Sequence, residues 1–413
     1  MRLVVLTPHF APDTAPTGAV VTRLVEELAH LGHRIEVITA LPWYRDHQIE
    51  GGFTGKLLRR EDTRWGSIAR LHPFPTADKT NIARRAASFA GFTALAAAVG
   101  RRGPKVDGVL AVSPPLTLGS AGRSIARARG AAYVFNVQDV YPDVAIDLGF
   151  MRNPAAVAAA LVLERRCYNG ADAVTVLSDD LRANVAQKTR DRDKVRVIPN
   201  FVDTKLIAPQ PAENGYRSEF GLESKKVVMY AGNVGLSQAL DLVLAAAIAM
   251  ADDPDVVFVI NGGGAARSDL QARAHGLSNV VFVDSQPIER LSEVLAAADV
   301  HLVPLKKGLS SSSVPSKTFS ILAAGRPFVA SVDPGSEIAR IAGQSGAGIA
   351  VPPEDPEGFT KAIRTLTDNS DERRAMGERG RAFVEGWASP EAVAEAYEGL
   401  FAELLARRSG SLT

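Results

Sequence analysis

The sequence predicts an α/β protein made of two doubly wound, Rossmann-like domains that face each other across a cleft, with a last helix packing back on the first domain. Three observations carry this reading. At 413 residues the chain is too long for one core and divides naturally into two halves of about 200 residues. Each half opens on a short apolar run, a glycine-bearing loop and then a helix. Further short apolar runs alternate with helical stretches through both halves, as in parallel sheets covered on both faces.

In the first half, residues 3–7 read as a buried strand, followed by the loop PHFAPDTAPTGA, a helix over 20–31 and a strand over 35–39. The loop carries Gly18 and no G-x-G-x-x-G, which disfavours a dinucleotide site but lets one phosphate approach a helix N-terminus. Residues 45–105 hold twelve Lys/Arg against five acids, a local +7 in a chain of net charge +1. Inside that segment an uncharged helix over 86–99 stands between Arg84-Arg85 and Arg101-Arg102. It is either a core helix with solvated ends or a surface that lies on anionic lipid. Strands at 108–112 and 133–137 flank a helix at 120–129. The second runs into Gln138-Asp139-Val140-Tyr141-Pro142-Asp143. Open α/β sheets place chemistry beyond the carboxyl ends of their strands, so Asp139 is either a site residue or a helix cap. A helix over 153–168, a strand over 173–177, a helix over 179–187 capped by Ser178 and a strand over 195–198 complete this half.

The second half restarts the pattern after a Pro- and Gly-bearing linker at 203–221. Strand 226–230 leads to the loop Gly232-Asn233-Val234-Gly235 and a helix over 239–250. Strand 256–260 leads to Gly262-Gly263-Gly264 and a helix holding Arg267. Strands at 280–283 and 300–303 enclose a helix at 288–297. The stretch 310–331 reads as a serine loop, a helix from Lys317 that Gly325 stops, and a strand over 328–331. A serine loop feeding a helix N-terminus gathers hydroxyls, free N–H groups and Lys317 where phosphate binds. Read locally, it is equally an ordinary loop–helix–strand unit. The last helix spans 390–406.

Composition sets further bounds. With 46% hydrophobic and 23% charged residues the chain is globular, neither disordered nor a nucleic-acid coat. One cysteine, Cys167, excludes a disulfide framework or a Cys-based zinc site and fits a reducing compartment. No apolar run reaches the roughly 20 residues of a membrane span, and the N-terminal run is too short for a signal peptide. The expected location is the cytoplasm, peripheral on the inner face of the membrane through residues 45–105.

These pieces together resemble family 4 of the retaining, nucleotide-sugar-dependent glycosyltransferases of the GT-B fold, and within it the transferases of capsule and colanic-acid-type polysaccharides. The likeness runs through PHFAPDTAPTGA, VQDVYPD, VIPNFVD, YAGNVG, GGGAAR, VPSK and AAGRPFVAS, and so spans nearly the whole chain. It implies an acceptor domain over 1–203, a nucleotide-sugar domain over 204–388 and a returning helix over 389–413. Gly18, Gly232, Asn233, Gly235 and Gln238 would line the donor diphosphate, Arg267 and Lys317 would neutralise it, and residues 283–287, Gln286 among them, would flank the base. Ser312, Pro315 and Ser320 would complete the donor side. Asp139 would act beside the reacting sugar, with His9, Thr17, Gln138 and Tyr141 on the acceptor. Three departures stand out. The family's glutamate pair is replaced by Ser312 and Ser320. The loop cation after AGN-x-G is replaced by Leu236-Ser237-Gln238. The histidine that commonly precedes Asp139 is Gln138.

The resemblance implies transfer from a nucleotide sugar, by family habit a UDP-sugar, to a polyprenyl-linked or saccharide acceptor, with no metal, no cofactor and no nucleic-acid partner. A sugar-nucleotide epimerase of the same fold and a non-catalytic partner of that fold are the alternatives. A nicotinamide dehydrogenase is disfavoured by the missing dinucleotide fingerprint.

Overall fold

The computed structural model describes the chain apart from residues 46–47, 76–81, 310–316, 388 and 411–413. Ser312 and Pro315 therefore lie outside the described residues, as does the serine loop ahead of Lys317. The chain divides into two compact units, residues 1–200 with 390–413 and residues 201–389.

The first unit is built on eight strands. They are β1 (Arg2–Leu6), β2 (Arg34–Ala40), β3 (Leu58–Thr63), β4 (Gly66–Leu71), β5 (Gly108–Ser113), β6 (Ala132–Val137), β7 (Ala173–Val176) and β8 (Val195–Val197). Their order is β3-β4-β2-β1-β5-β6-β7-β8. Helices cover both faces, so β5 and β6 are buried at every residue and read as continuous apolar runs. The order reverses between β1 and β5, which makes the loop after β1 a natural ligand position. The first helix, Pro16–His30, starts earlier than the periodicity suggested, because Pro16 suits a first helical turn.

Inside the basic segment the structure places a hairpin that apolar periodicity does not announce. β3 and β4 pair antiparallel at the sheet edge. Its charges are partly internal struts: Arg70 is buried, bonds Glu61 at 3.0 Å and donates to the Ala11 carbonyl at 2.7 Å. The helix expected at 86–99 runs Ile82–Gly100. Phe92, Ala96 and Val99 face the core, and its outer face shows Ala87, Ala90, Ala94 and Ala98. Asp139 does not cap a helix; the next one, Asp143–Asp147, begins after Pro142. Ser178 does cap its helix, accepting from the Leu181 N–H.

The C-terminal helix, Pro390–Gly410, packs on Pro16–His30 in this same unit. Its Tyr397 hydroxyl accepts from Asn136 Nδ2 at 3.0 Å and lies 3.2 Å from Thr175 Oγ1, deep in the core. Phe401 fills the space over Gly108, where a Cβ would come within 2.5 Å of its ring.

The second unit has six parallel strands. They are β9 (Lys226–Ala231), β10 (Val256–Asn261), β11 (Val280–Val283), β12 (Val300–Pro304), β13 (Phe328–Ser331) and β14 (Gly348–Val351). The order is β11-β10-β9-β12-β13-β14, with its reversal between β9 and β12. Alternation along β9 sends Val228 and Tyr230 into one core and Val227 and Met229 into the other. Among the described residues no helix is long and apolar enough to cross a membrane.

Candidate active site

In the second unit the switch point falls between the loops that follow β9 and β12. The two loops touch: the Lys306 N–H donates to the Ser237 carbonyl at 3.0 Å. The helix Lys317–Ala323 then delivers Lys317 to the first of them. A Cβ added at Gly232 would lie 3.3 Å from Lys317 Nζ, so the ammonium stands directly against the glycine loop. Lys317 Nζ also sits 3.7 Å above the centre of the Tyr230 ring. Among the described residues it has no carboxylate partner. Burial pulls its pKa down to about 7, and its partial exposure lets water offset part of that withdrawal.

Close backbone approach explains the glycines. At Gly262, with φ +144°, a Cβ would come within 2.0 Å of the Gly232 carbonyl oxygen, and at Gly264 within 2.3 Å of the Val234 oxygen. The loops after β9 and β10 are zipped by Val234 N–H to Gly263 O at 2.8 Å and Ala266 N–H to Val234 O at 3.0 Å. Gln238 holds the far end of the first loop, its Oε1 accepting from the Gly235 N–H at 3.1 Å.

The cations differ in availability. Arg267 donates to the Gly262 carbonyl at 3.0 Å and is bonded to Asp284, so an anion has to compete with that carboxylate. Gln286 is folded onto its own loop, donating to the Asp284 carbonyl at 3.1 Å and accepting from Arg290 at 2.9 Å. Ser320 lies one helical turn beyond Lys317, half-buried. Deeper, His301 is fully buried and bonded to the Leu295 carbonyl at 2.9 Å. Burial lowers its pKa to about 4, so it stays neutral. The structure thus gathers Gly232, Asn233, Gly235, Gln238 and Lys317 at one switch point, with Arg267 and Gln286 at the neighbouring strand ends.

In the first unit, His9, Thr17 and Gly18 meet at the end of β1. The space beside Gly18 is taken by the chain itself, since a Cβ there would lie 3.0 Å from His9 Cβ. Asp13, its carboxylate fully withdrawn from solvent, bonds His9 Nδ1 at 2.7 Å and accepts the Tyr44 N–H at 3.1 Å. His9 is also stacked on Trp43 at 5.6 Å. A carboxylate on Nδ1 fixes the orientation of the ring.

Asp139, half-buried, and Tyr141, half-buried, follow β6. Gln138 is buried with its amide engaged at both ends: Nε2 donates to Asn136 Oδ1 at 2.6 Å and Oε1 accepts from Asn200 at 2.7 Å. It braces the strand end, which is a different task from meeting an acceptor. Sequence reasoning missed Asp13, whose pairing joins two loops, and Tyr230, whose hydroxyl is hidden in a strand pattern. Among the described residues no group of three His, Cys, Asp or Glu gathers as a metal site.

Comparison with known proteins matches residues 17–200 to a glycosyl transferase 4-like domain and residues 225–369 to the glycosyl transferases group 1. The chain is 27% identical over 375 residues to the putative colanic acid biosynthesis glycosyl transferase WcaI of Escherichia coli K12, covering 88% of this chain and 91% of that one. It is 29% identical to the probable glycosyltransferase WbjE of Pseudomonas aeruginosa, over 65% of this chain and 67% of that one. In fold it is similar to sucrose-phosphate synthase of Thermosynechococcus elongatus, with TM-score 0.78, 19% identity and coverage of 98% and 100%. It is also similar to Anabaena HepE in complex with UDP-glucose, with TM-score 0.69, 14% identity and coverage of 98% and 100%.

Proposed function

Because the chain belongs to the glycosyltransferases that join a 4-like domain to a group 1 domain, we propose that it moves a sugar from a UDP-sugar to a lipid-linked or saccharide acceptor in polysaccharide biosynthesis, with retention. The observation that carries the donor assignment is Lys317 Nζ standing against Gly232 at the switch point of a parallel sheet. A diphosphate placed there meets glycine backbone and an ammonium that no carboxylate among the described residues neutralises. HepE, a neighbour in fold, binds UDP and UDP-glucose, which supports the same class of donor here.

The chemistry asks for stabilisation of a leaving diphosphate. The acceptor hydroxyl attacks the anomeric carbon on the face from which the diphosphate departs. The carbon–phosphate-oxygen bond breaks, and the hydroxyl proton passes to the departing phosphate. Lys317, assisted by Arg267 once released from Asp284, takes up the developing charge without a metal. Asp139 serves the acceptor in the first unit, with His9 and Tyr141. Residues 45–105 hold that unit to anionic lipid, through charge more than insertion, since the exposed positions described on the helix Ile82–Gly100 are Ala87, Ala90, Ala94 and Ala98.

Turnover of a panel of UDP- and GDP-sugars, with and without membrane lipid extract and with EDTA, tests this. Transfer that needs the extract and survives EDTA is expected. Turnover of donor alone points to an epimerase, and binding without turnover to a non-catalytic partner. Co-sedimentation with anionic but not neutral vesicles, lost when Arg84, Arg85, Arg101 and Arg102 are changed to Ser, tests the membrane contact.

A further inference from the structure

We propose that Tyr230 is the positioning residue of the donor site: its ring seats the Lys317 ammonium while its hydroxyl locks the glycine loop, so one side chain sets the spacing of the two groups that meet the diphosphate. This rests on the donor reading above and adds a residue to it.

The argument begins in β9. The strand Lys226–Ala231 alternates, and Tyr230 points into the core beside Val228, Val234, Leu240 and Ile260. Burial of that position calls only for an apolar ring, and phenylalanine would meet the need. The hydroxyl is an additional group, and burial obliges it to find a partner. It donates to the Asn233 carbonyl at 2.6 Å. The following N–H, on Val234, is held by Gly263 at 2.8 Å, so the Asn233–Val234 peptide is fixed from both sides. Loop and strand are thereby tied together three residues apart, at the point where the chain turns with Gly232 at φ +140°.

The ring does the second part. An aromatic face attracts an ammonium but does not neutralise it. A carboxylate in the same place would pair with Lys317 and compete with the ligand, as Asp284 does at Arg267. With Nζ 3.7 Å from the ring centre, and Tyr230 Oη 3.9 Å from where a Gly232 Cβ would stand, ring, hydroxyl, loop and ammonium share one small volume. The lowered pKa of Lys317 agrees with a buried amine that has no carboxylate partner among the described residues.

The test uses the full chain and four variants: Tyr230→Phe, Tyr230→Leu, Lys317→Ala and the double Tyr230→Leu/Lys317→Ala. UDP and GDP affinities are measured by calorimetry, donor KM and kcat by steady-state turnover, and folding by thermal melting. Tyr230→Phe keeps the ring and loses one hydrogen bond, so a rise in Kd and donor KM of about fivefold is expected with kcat little changed. Tyr230→Leu loses the seat as well, and a further loss of about tenfold is expected, restored towards wild type by Phe. In the Lys317→Ala background the Leu change costs far less, because the ammonium it seats is gone. Wild-type affinity in Tyr230→Phe and Tyr230→Leu, with Lys317→Ala impaired, overturns the role of Tyr230 and leaves the donor reading standing. So does a fully additive double variant. If Lys317→Ala binds normally, or wild type binds neither nucleotide, the donor reading itself falls. Should Tyr230→Leu fail to fold, Tyr230→Phe alone decides, since it changes only the hydroxyl.

Discussion

Lys317 is an amine without a carboxylate partner among the described residues, and that has a pH signature. Its free-state pKa is lowered to about 7. A bound diphosphate favours the ammonium and raises that pKa. Below pH 7 the amine is already charged, so affinity for UDP should be level. Above pH 7 binding has to take up a proton, so affinity should fall with rising pH, by at most about tenfold per unit. Calorimetry from pH 6 to 9 reads this directly, and Lys317→Arg, which cannot lose its proton in that range, should flatten the curve. Asp139→Asn makes the contrasting case. Placed after β6 for acceptor chemistry, it should lower kcat by about a hundredfold while UDP affinity holds. A parallel collapse of both would remove Asp139 from that role. At this scale the sequence was legible where a motif names a position, as at Lys317, whose ammonium stands beside Gly232. It was silent where a side chain's partner comes from a distant loop. Arg267 looked like a free cation because Asp284, its partner, lies seventeen residues on across another strand. Gln138 reads as an acceptor residue because Asn200, whose amide donates to its Oε1, lies sixty-two residues on.

The strands and helices show the same division. Buried parallel strands announce themselves as apolar runs, and β5, β6, β9, β10 and β13 lie where such runs stand. The β3–β4 hairpin does not, since LRREDT is an exposed and half-exposed edge strand and GSIARL carries a charge, Arg70, into the interior. The loops after β9 and β10 interlock more tightly than either sequence indicates. Gly262→Ala should therefore fail twice: its φ of +144° suits glycine alone, and its Cβ would meet the Gly232 oxygen at 2.0 Å. A loss of about 2–4 kcal/mol in urea unfolding is expected, with UDP binding abolished. Gly276→Ala, in open space with φ +90°, controls for the backbone term alone and should cost less.

For the whole molecule, the two-unit reading follows from length and from the repeated strand–loop–helix opening. The return of the last helix was read from the break that precedes it, but Pro390–Gly410 carries nothing in its own pattern that names its partner. The partner is written in β5 and β6 instead, in Gly108 under Phe401 and in Asn136 bonded to Tyr397. Tyr397→Phe removes that hydroxyl from a buried position and should cost about 1–3 kcal/mol. Hydrogen exchange should locate the loss, with protection falling in β6 and β7 and unchanged in β9 and β10.

That returning helix also fixes an order of events at the ribosome. The first unit to emerge lacks a piece of its own core until residues 390–413 arrive, with the whole of 201–389 made in between. At ordinary synthesis rates the gap is about 10–40 s. Through that interval the apolar seat for Phe401 and the amide of Asn136 stay uncovered, while the later unit already holds every strand it needs. The half that is translated second is thus the half whose elements are all present first.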